Sequence, residues 1–261
     1  MKFSDLVRRR RDGGEKNVPW YLHDKLRANE FFKYAGLPTA EIYRNFDSAD
    51  DINLDGLPDE FVLKPTFLFS AIGVMLLKKT ENGFFDSMSD KELTVDQIRM
   101  FQQQMSLKSK NAKKPFIVEE RIREPDGRAV PRDIKFFGFQ GEIVFIEQVG
   151  NSSGKPTHAW FDGDFNPLTP DDVYSDPKYF EIVEPERPEN WEQQLNMARR
   201  ASVAVPAPFA RIDTYSSVRG PLLGEVTLVP GVIALEGYVT PSERIEWLAG
   251  HAWEKAAKRL Q

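Results

Sequence analysis

The residues best suited to chemistry lie within positions 210–231, where two runs of alternating apolar residues are joined by a short polar turn that ends at Gly220. This pattern predicts a β-hairpin. If the strands pair symmetrically about Arg219, then Asp213 and Glu225 lie opposite each other, because they are equally far from Arg219 on either side. The sequence therefore predicts two carboxylates that face each other across neighbouring strands.

The same pairing places Arg211 opposite Thr227, and residues two apart on a strand share a face, so all four side chains point the same way. Two carboxylates with Cβ atoms about 5 Å apart repel and destabilise the sheet unless a cation lies between them. Magnesium suits this position because it takes oxygen ligands from one or two carboxylates and from substrate phosphates. On this stretch alone, an ordinary hairpin with one carboxylate facing solvent is the alternative.

Composition limits the class of protein and its partners. With 261 residues, of which 41% are hydrophobic, the chain can build one large domain or two smaller ones. A net charge of −5 gives no overall positive field, so we expect no nucleic-acid partner. The absence of cysteine excludes disulfides and thiolate metal sites, and the three histidines are scattered, so any metal is expected to bind oxygen.

The N-terminal segment is basic, with four consecutive arginines at positions 8–11. No apolar signal segment follows it, and no stretch approaches about 18 consecutive apolar residues. We therefore expect a cytoplasmic protein without a transmembrane segment. The arginine run is interpreted as a solvated tail, and the alternative is weak contact with an anionic membrane surface.

The elements that must position the hairpin are single helices between strands. Helices are predicted over residues 24–36, 94–110, 188–205 and from 243 onward, and strands over 61–65, 74–79, 116–122 and a hairpin at 132–150. Alternation in that hairpin places Asp133, Lys135 and Phe137 on one face. This order predicts an α+β protein with largely antiparallel sheets.

Two further patterns carry predictions. In the terminal helix, Ile245, Leu248, Ala252 and Ala256 are predicted to form one apolar stripe. Residues 150–188 are rich in Asp, Pro, Gly and Asn and show little periodicity. Such a long excursion is interpreted either as a functional segment or as a solvated insertion.

Five stretches occur in the order and spacing of the ATP-grasp superfamily. They are DKLRANEFFKYAGLP, FVLKP, FIVEERI, RDIKFF, and ARIDTY followed by GEVTLVPG. The chain thus resembles an ATP-grasp enzyme over about residues 24–231, and D-alanine:D-alanine ligases carry very similar stretches. The KFFGF-like and GEVTLVPG-like stretches also resemble compact ATP-grasp proteins associated with teichuronic acid and other cell-surface polysaccharide pathways.

The resemblance implies an α+β ATP-grasp fold, in which two α+β subdomains with mainly antiparallel sheets sandwich the nucleotide. We expect a basic N-terminal tail at 1–23, an N-terminal subdomain at 24–118 and a C-terminal subdomain at 119–261 with an insertion at about 150–188. Because so few residues precede Asp24, the additional N-terminal domain of typical relatives is expected to be absent or vestigial.

The resemblance also implies an ATP site. Lys25 and Lys64 match the lysines that hold the nucleotide's phosphates. The adenine hinge is matched by Glu119, Glu120 and Ile122. Asp133 falls near the acidic position that meets ribose, and Lys135 can reach phosphate from the same face.

For the metal and the reacting groups, the resemblance agrees with the hairpin argument. Asp213 and Glu225 match the acids that bind magnesium, and Arg211 matches the arginine that steadies the acylphosphate and the tetrahedral intermediate. Thr227 is the third expected metal ligand, and it departs from the family, which usually has Asn there.

A second departure is the loop at residues 66–73, which has lost the usual glycines. It carries Phe67, Leu68 and Phe69 where backbone N–H groups would normally wrap phosphates. This difference predicts an unusual grip on phosphate or an unusual fit of the loop.

The implied reaction is ATP-dependent ligation of a carboxylate to an amine through an acylphosphate. The carboxylate is expected on a small molecule, a peptide or a glycan, in cell-surface polysaccharide or small-molecule or peptide biosynthesis. Acceptor recognition is expected from the segment at 150–190, the C-terminal helix or a partner, either a partner protein or the second copy in a homodimer. Two alternatives stay open: a kinase that phosphorylates a hydroxyl, and an ATP-binding scaffold without catalysis.

Overall fold

The chain forms two compact units, and the expected α+β class is confirmed. The computed structural model describes residues 1–68, 71–111, 113–151, 155–234 and 237–261. The larger unit contains residues 1–39, 124–127 and 131–261, and the smaller unit contains residues 40–123 and 128–130.

The elements follow the chain in a mixed order. The helices are α1 (Phe3–Arg11), α2 (Lys25–Tyr34), α3 (Val95–Leu107), α4 (Trp191–Ala204), α5 (Gly231–Ala234) and α6 (Glu243–Arg259), and a short 3-10 helix covers Trp20–His23. The strands are β1 (Ile42–Phe46), β2 (Glu60–Pro65), β3 (Met75–Lys79), β4 (Phe84–Asp86), β5 (Lys91–Leu93), β6 (Phe116–Glu120), β7 (Asp133–Phe139), β8 (Glu142–Gly150), β9 (Thr157–Asp162), β10 (Val173–Ser175), β11 (Glu181–Ile182), β12 (Ala210–Tyr215), β13 (Leu222–Thr227) and β14 (Val239–Pro241).

The smaller unit is built on one antiparallel sheet with the strand order β1-β6-β2-β3-β4-β5. Helix α3 starts at a capping box, in which Thr94 and Gln97 exchange hydrogen bonds between side chain and backbone. Its Ile98 joins Phe61 and Phe116 in the buried core. This packing fixes β2, which carries Lys64 next to its last residue.

The larger unit is built on a sheet with the order β11-β9-β8-β7-β12-β13, in which only the β11–β9 pair is parallel. Side chains alternate between its two faces. Phe136 packs with Leu195 of α4, whereas Phe137 packs with Phe3 of α1 and Trp253 of α6. The sheet is therefore covered by helices on both faces.

A small two-stranded sheet of β10 and β14 also belongs to the larger unit.

Residues 1–23 do not form the predicted solvated tail. Helix α1 buries Phe3, Leu6 and Val7, and Arg10 has no exposed surface. The four arginines dominate the local composition, but the apolar positions before them recur at helical spacing and dock onto the core. The N-terminal segment is therefore a structural part of the larger unit.

The two units also divide the chain differently from the predicted subdomains at 24–118 and 119–261. Residues 24–39 group with the larger unit because α2 packs beside β13, and because the Leu223 N–H donates to the Pro38 carbonyl at 2.9 Å. Thr39 forms a β-bridge with the same leucine. A long-range contact of this kind leaves no local sequence signal.

The segment at 150–188 is more regular than an insertion. Its strand β9 pairs with β8 from Phe145 opposite Asp162 to Gly150 opposite Thr157, inside the main sheet. Residues 152–154 of this segment lie outside the described residues. The first part of the excursion is thus a strand of the core, which the many polar and turn residues around it obscure.

The apolar stripe of α6 is partly wrong as predicted. Ile245, Ala252 and Ala256 are buried, but Leu248 is 49% exposed, and Trp253 takes the buried position instead. Ser242 caps the start of the helix, and its hydroxyl accepts a hydrogen bond from the Ile245 N–H. In the described part of the chain, no helix combines the length and the apolar character needed to cross a bilayer.

Trp253→Ala should destabilise the larger unit. The indole lies 4.2 Å from the Arg10 guanidinium and stacks on Phe209, so its loss leaves a cavity worth about 3–5 kcal/mol. Leu248→Ala, on the exposed side of the same helix, should change stability by less than about 0.5 kcal/mol. Urea unfolding followed by circular dichroism measures both, and equal effects would contradict this packing.

Candidate functional site

Strands β12 and β13 form the predicted hairpin in the predicted register. Asp213 lies opposite Glu225, and Arg211 lies opposite Thr227. A β-bulge beyond Asp213 shifts the register by one residue and ends the symmetric pairing. This irregularity lies directly beside the two carboxylates. Bulges bend a strand and change the direction of its side chains.

Asp213 is a buried carboxylate that the protein itself compensates. It is 1% exposed and accepts two hydrogen bonds from Arg211, at 2.7 Å to Oδ1 and 2.6 Å to Oδ2. Lys135 Nζ donates to Oδ2 at 3.0 Å. Burial alone would raise the pKa of Asp213, but Arg211 and Lys135 outweigh it and hold the pKa below its ordinary value.

Glu225 is the more open of the two acids, with 32% of its side chain exposed. Its carboxylate lies 3.9 Å from Lys25 Nζ and 3.8 Å from Arg211 Nη2, distances longer than a hydrogen bond. Thr227 accepts a hydrogen bond from Arg211 at 2.9 Å. Arg211 thus connects all three expected metal ligands.

Lys25 reaches this hairpin from the first turn of α2. The Asp24 side chain caps the helix by accepting hydrogen bonds from Leu26 N–H and Arg27 N–H, both at 3.0 Å. His23 Nε2 accepts from the Leu228 N–H at 3.2 Å, directly after β13. Burial lowers the pKa of His23, which favours the neutral ring that can accept this bond.

Asp133 and Lys135 lie on the same face of β7 and contact each other. Asp133 Oδ1 is buried and has no hydrogen-bond partner among the described residues. Burial raises the pKa of Asp133 to about 6, although Lys135 lowers it in part. A buried acceptor of this kind can accept a hydrogen bond from a hydroxyl of a bound ligand.

The smaller unit holds the remaining predicted residues. Lys64 Nζ lies 2.5 Å from Glu119 Oε1, and both side chains are almost buried. Glu120 Oε2 accepts from the Glu41 N–H at 3.1 Å, and Ile122 is 7% exposed. The structure therefore brings Lys64 and the glutamate of the expected adenine hinge into direct contact.

The 66–73 loop differs from its predicted form at Phe67. This ring is 7% exposed and contacts Phe116 edge-on, so it belongs to the core of the smaller unit. Leu68 is partly buried against the same core. Phe69 lies outside the described residues.

Two buried residues of this face, Glu147 and His158, were missed by the sequence reasoning. Glu147 of β8 lies directly opposite Lys135 of β7, and His158 of β9 lies beside it. The symmetry rule used for the first hairpin does not find Glu147, because pairing about the Gln140–Gly141 turn puts Ile146 opposite Lys135. A register shift between Phe137 and Gly138 brings Glu147 there instead. No signal in the sequence marks His158.

Arg10 is a third missed residue, and it holds the ends of the hairpin strands. Its Nη1 donates to the Phe209 carbonyl at 2.8 Å and to the Leu228 carbonyl at 3.0 Å, and Glu15 pairs with the rest of the guanidinium. These carbonyls lie one residue outside β12 and β13. Arg10 therefore fixes the ends of β12 and β13 that lie next to the cross-strand pair of Arg211 and Thr227.

The donor atoms of the hairpin fit magnesium. The described residues include no group of three or more His, Asp or Glu side chains arranged for a metal. The two opposed carboxylates and the Thr227 hydroxyl nevertheless offer only oxygen, the ligand type magnesium prefers, and the ion takes its remaining ligands from water and phosphate. The unused oxygen of Asp133 likewise fits a sugar hydroxyl of a nucleotide.

Comparison with protein families identifies the family. The family model described as TupA-like ATPgrasp matches residues 4–250 of the chain. The chain belongs to this family. The ATP-grasp resemblance seen in the sequence is thereby confirmed.

Solved structures share the ATP-grasp fold with this TupA-like chain. A D-alanine–D-alanine ligase from Bacillus anthracis is 17% identical, with a TM-score of 0.52 over 92% of this chain and 66% of its own. The same ligase complexed with ATP is 15% identical, with a TM-score of 0.50 over 92% of this chain and 64% of its own. The ATP-grasp ligase PsnB, complexed with minimal precursor, Mg and ADP, is 11% identical, with a TM-score of 0.51 over 99% of this chain and 66% of its own.

The TupA-like chain thus spans about two thirds of the length of these ligase chains. At such identities the likeness shows the fold alone. A comparison with curated protein sequences gives no match.

Asp133→Asn should change how stability depends on pH. The raised pKa means that the folded protein binds this proton more tightly than the unfolded chain, so the wild-type free energy of unfolding falls as pH rises from 3.8 to about 6. Asparagine does not titrate, so the variant should lack this fall and gain stability relative to the wild type across that window.

The measurement is urea unfolding at several pH values without nucleotide or divalent ions. Tryptophan fluorescence reports the larger unit, because all five tryptophans lie in it. The exposed Asp171→Asn is the matched control and should keep the wild-type pH dependence. An Asp133→Asn profile parallel to the wild type would contradict the raised pKa.

Proposed function

We propose that this TupA-like chain is an ATP-dependent ligase that joins a carboxylate to an amine through an acylphosphate. The observation that carries the proposal is the arrangement on the hairpin. A buried Asp213 is held by Arg211 and Lys135, while Glu225 directly opposite stays partly open and close to Lys25. Opposed acids surrounded by three cations suit the transfer of a phosphoryl group.

Phosphoryl transfer needs positioning and charge neutralisation more than covalent help from the protein. Asp213, Glu225 and Thr227 would hold magnesium, which when bound neutralises charge on the nucleotide's phosphates. Lys25 and Lys135 would contact phosphate oxygens as point charges. Asp133 would accept a hydrogen bond from a ribose hydroxyl through its unused Oδ1.

Arg211 would serve the second half of the reaction. Its planar guanidinium is fixed by Asp213 and by the Thr227 hydroxyl, so its orientation is set before substrate binds. A fixed cation beside the reacting centre stabilises the charge of an acylphosphate and of the tetrahedral intermediate that follows. For the smaller unit, Lys64 as a phosphate ligand and the segment from Glu119 to Ile122 as the adenine-binding segment stay predictions of the sequence.

The substrate class remains a carboxylate of a sugar acid, an amino acid or a peptide, and the nucleophile an amine. In this reaction ATP transfers its γ-phosphoryl group to the carboxylate. The amine nitrogen then attacks the acyl carbon, and phosphate leaves. ADP and phosphate are therefore both released.

The test incubates the full chain with MgATP, hydroxylamine as a trapping nucleophile, and a panel of uronic acids, amino acids and dipeptides. ADP, phosphate and hydroxamate are measured. Wild type should form hydroxamate with at least one carboxylate. Glu225→Gln should abolish it, and Glu184→Gln, an exposed glutamate outside the site, should leave it unchanged.

Other outcomes would overturn the proposal. Wild-type turnover by Glu225→Gln would remove Glu225 from the metal site. A stable phosphorylated product without free phosphate would identify a kinase. Tight binding of MgATP without turnover on any carboxylate would favour a scaffold.

A further inference from the structure

Glu147 is a buried carboxylate on the face that carries the candidate site. It lies directly opposite Lys135 on the neighbouring strand, and Lys135 in turn lies opposite Asp213. Only 6% of the Glu147 side chain is exposed. One register position of the sheet therefore carries a continuous row of charged residues from β8 to β13.

The cation nearest to Glu147 in register is committed to other acids. Lys135 Nζ donates to Asp213 at 3.0 Å and also contacts Asp133, on the same strand. Within the described part of the chain, no lysine or arginine forms an ion pair with the Glu147 carboxylate, whose neighbour is His158 Nε2 at 3.5 Å. Glu147 is thus a buried carboxylate without a cation of its own.

His158 lies beside the Glu147 carboxylate. Its Nε2 lies 3.5 Å from Glu147 Oε1, and its Nδ1 lies 3.4 Å from Ser175 Oγ. Trp160 Nε1 donates to the same Ser175 oxygen at 3.0 Å, and the serine hydroxyl can donate its own proton to Nδ1. In that tautomer the ring proton of neutral His158 lies on Nε2, which faces Glu147.

The histidine does not itself supply a charge. Burial lowers the pKa of His158 to about 3, with a further contribution from Lys135, so the ring is neutral near pH 7. Phe180 stacks on it with ring centroids 3.7 Å apart and fixes its plane. His158 therefore orients Glu147 but cannot replace a cation beside it.

Burial also raises the pKa of Glu147, although Lys135 and Arg211 partly oppose the rise and Asp213 adds to it. A buried carboxylate without a cation partner is costly, because its charge has lost the hydration of bulk water. Perturbed acids of this kind cluster at functional sites. A carboxylate with a raised pKa is also a better proton acceptor than an ordinary one.

We propose that Glu147 is the subsite for the amine nucleophile: it binds the ammonium group of that substrate and then accepts its proton. This role rests on the ligase function proposed above. The ammonium gives one proton to Glu147, and the freed lone pair forms the C–N bond with the acyl carbon. The C–O bond to phosphate breaks, its electrons leave on phosphate, and phosphate takes the second nitrogen-bound proton.

The first experiment needs no turnover. Histidine labelled with ¹⁵N gives a simple NMR spectrum because the chain has only three histidines. The probe is n-propylammonium, and tetramethylammonium is the comparison, since it carries the charge without N–H donors. Propylammonium should shift the His158 ring signals to saturation, and tetramethylammonium should not.

Variants locate the effect. Glu147→Gln keeps the shape and should abolish the shift, whereas Glu142→Gln, an exposed glutamate of the same strand, should keep it. Glu147→Asp retains the charge and should weaken the shift, which guards against misfolding of the first variant. A shift that persists in Glu147→Gln, a shift with both cations, or no shift in the wild type would overturn the proposal.

The second experiment uses the carboxylate that forms hydroxamate. Glu147→Gln should lose about 10²–10⁴-fold in amide formation with a primary amine, the usual contribution of a general base. This loss should shrink at higher pH, where the amine is already deprotonated. Hydroxamate formation should stay at the wild-type rate, because hydroxylamine is largely neutral at pH 7.

The two experiments separate the two proposals. An equal loss with both nucleophiles, or no loss with the amine, overturns the role of Glu147 while the ligase function stands. Ammonium binding that depends on Glu147 without hydroxamate from any carboxylate supports the subsite and overturns the ligase.

Discussion

The carboxylate of Asp213 is almost completely removed from water, and the surrounding structure depends on how its charge is compensated. Two hydrogen bonds from Arg211 and one from Lys135 hold it, and both cations stand on strands next to each other in the sheet. Removing one partner of a buried ion pair commonly costs about 3–5 kcal/mol, because the other charge is left behind. The site is therefore built before any ligand arrives.

Because Arg211 and Lys135 compensate Asp213, the opposed acids do not by themselves require a metal ion for the hairpin to be stable. In isolation, Asp213 and Glu225 would repel across the hairpin, and a metal would be required to hold them. With Arg211 between them, the hairpin is electrostatically satisfied, and Glu225 stays open enough to take part in ligand binding. A metal would add to an ordered site and would not have to create it.

The N-terminal segment makes the hairpin rigid at its other end. Arg10 donates to the carbonyl of Leu228 and His23 accepts from its N–H, so both backbone polar groups of this residue are bound. Both Arg10 and His23 precede the start of α2, which carries Lys25. The packing of residues 1–39 on the sheet thus positions Lys25. It also stabilises β13, the strand that carries Glu225 and Thr227.

Sequence reasoning succeeded where a pattern is local. Alternation and a symmetric turn were enough to pair Asp213 with Glu225, and the Asp24 cap located the start of α2. A register shift in the β7–β8 hairpin keeps the same rule from finding Glu147.

Reasoning from the sequence failed where distant contacts decide the structure. Arg10 is buried only because carbonyls about 200 residues later accept its hydrogen bonds, and nothing in a run of four arginines reveals this. In α6, Leu248 and Trp253 both fit a helical stripe, and only docking on the sheet chooses between them. The Ser175–His158 contact likewise depends on how β10 returns to β9.

The opposed acids of the hairpin are proposed to form a metal–nucleotide site. The most direct measurement is a Mn²⁺ titration followed by electron paramagnetic resonance, with a non-hydrolysable ATP analogue present. Wild type and Glu184→Gln should bind the ion equally, and Glu225→Gln should bind it about tenfold more weakly or worse. Equal Mn²⁺ affinity in Glu225→Gln and wild type would contradict the account.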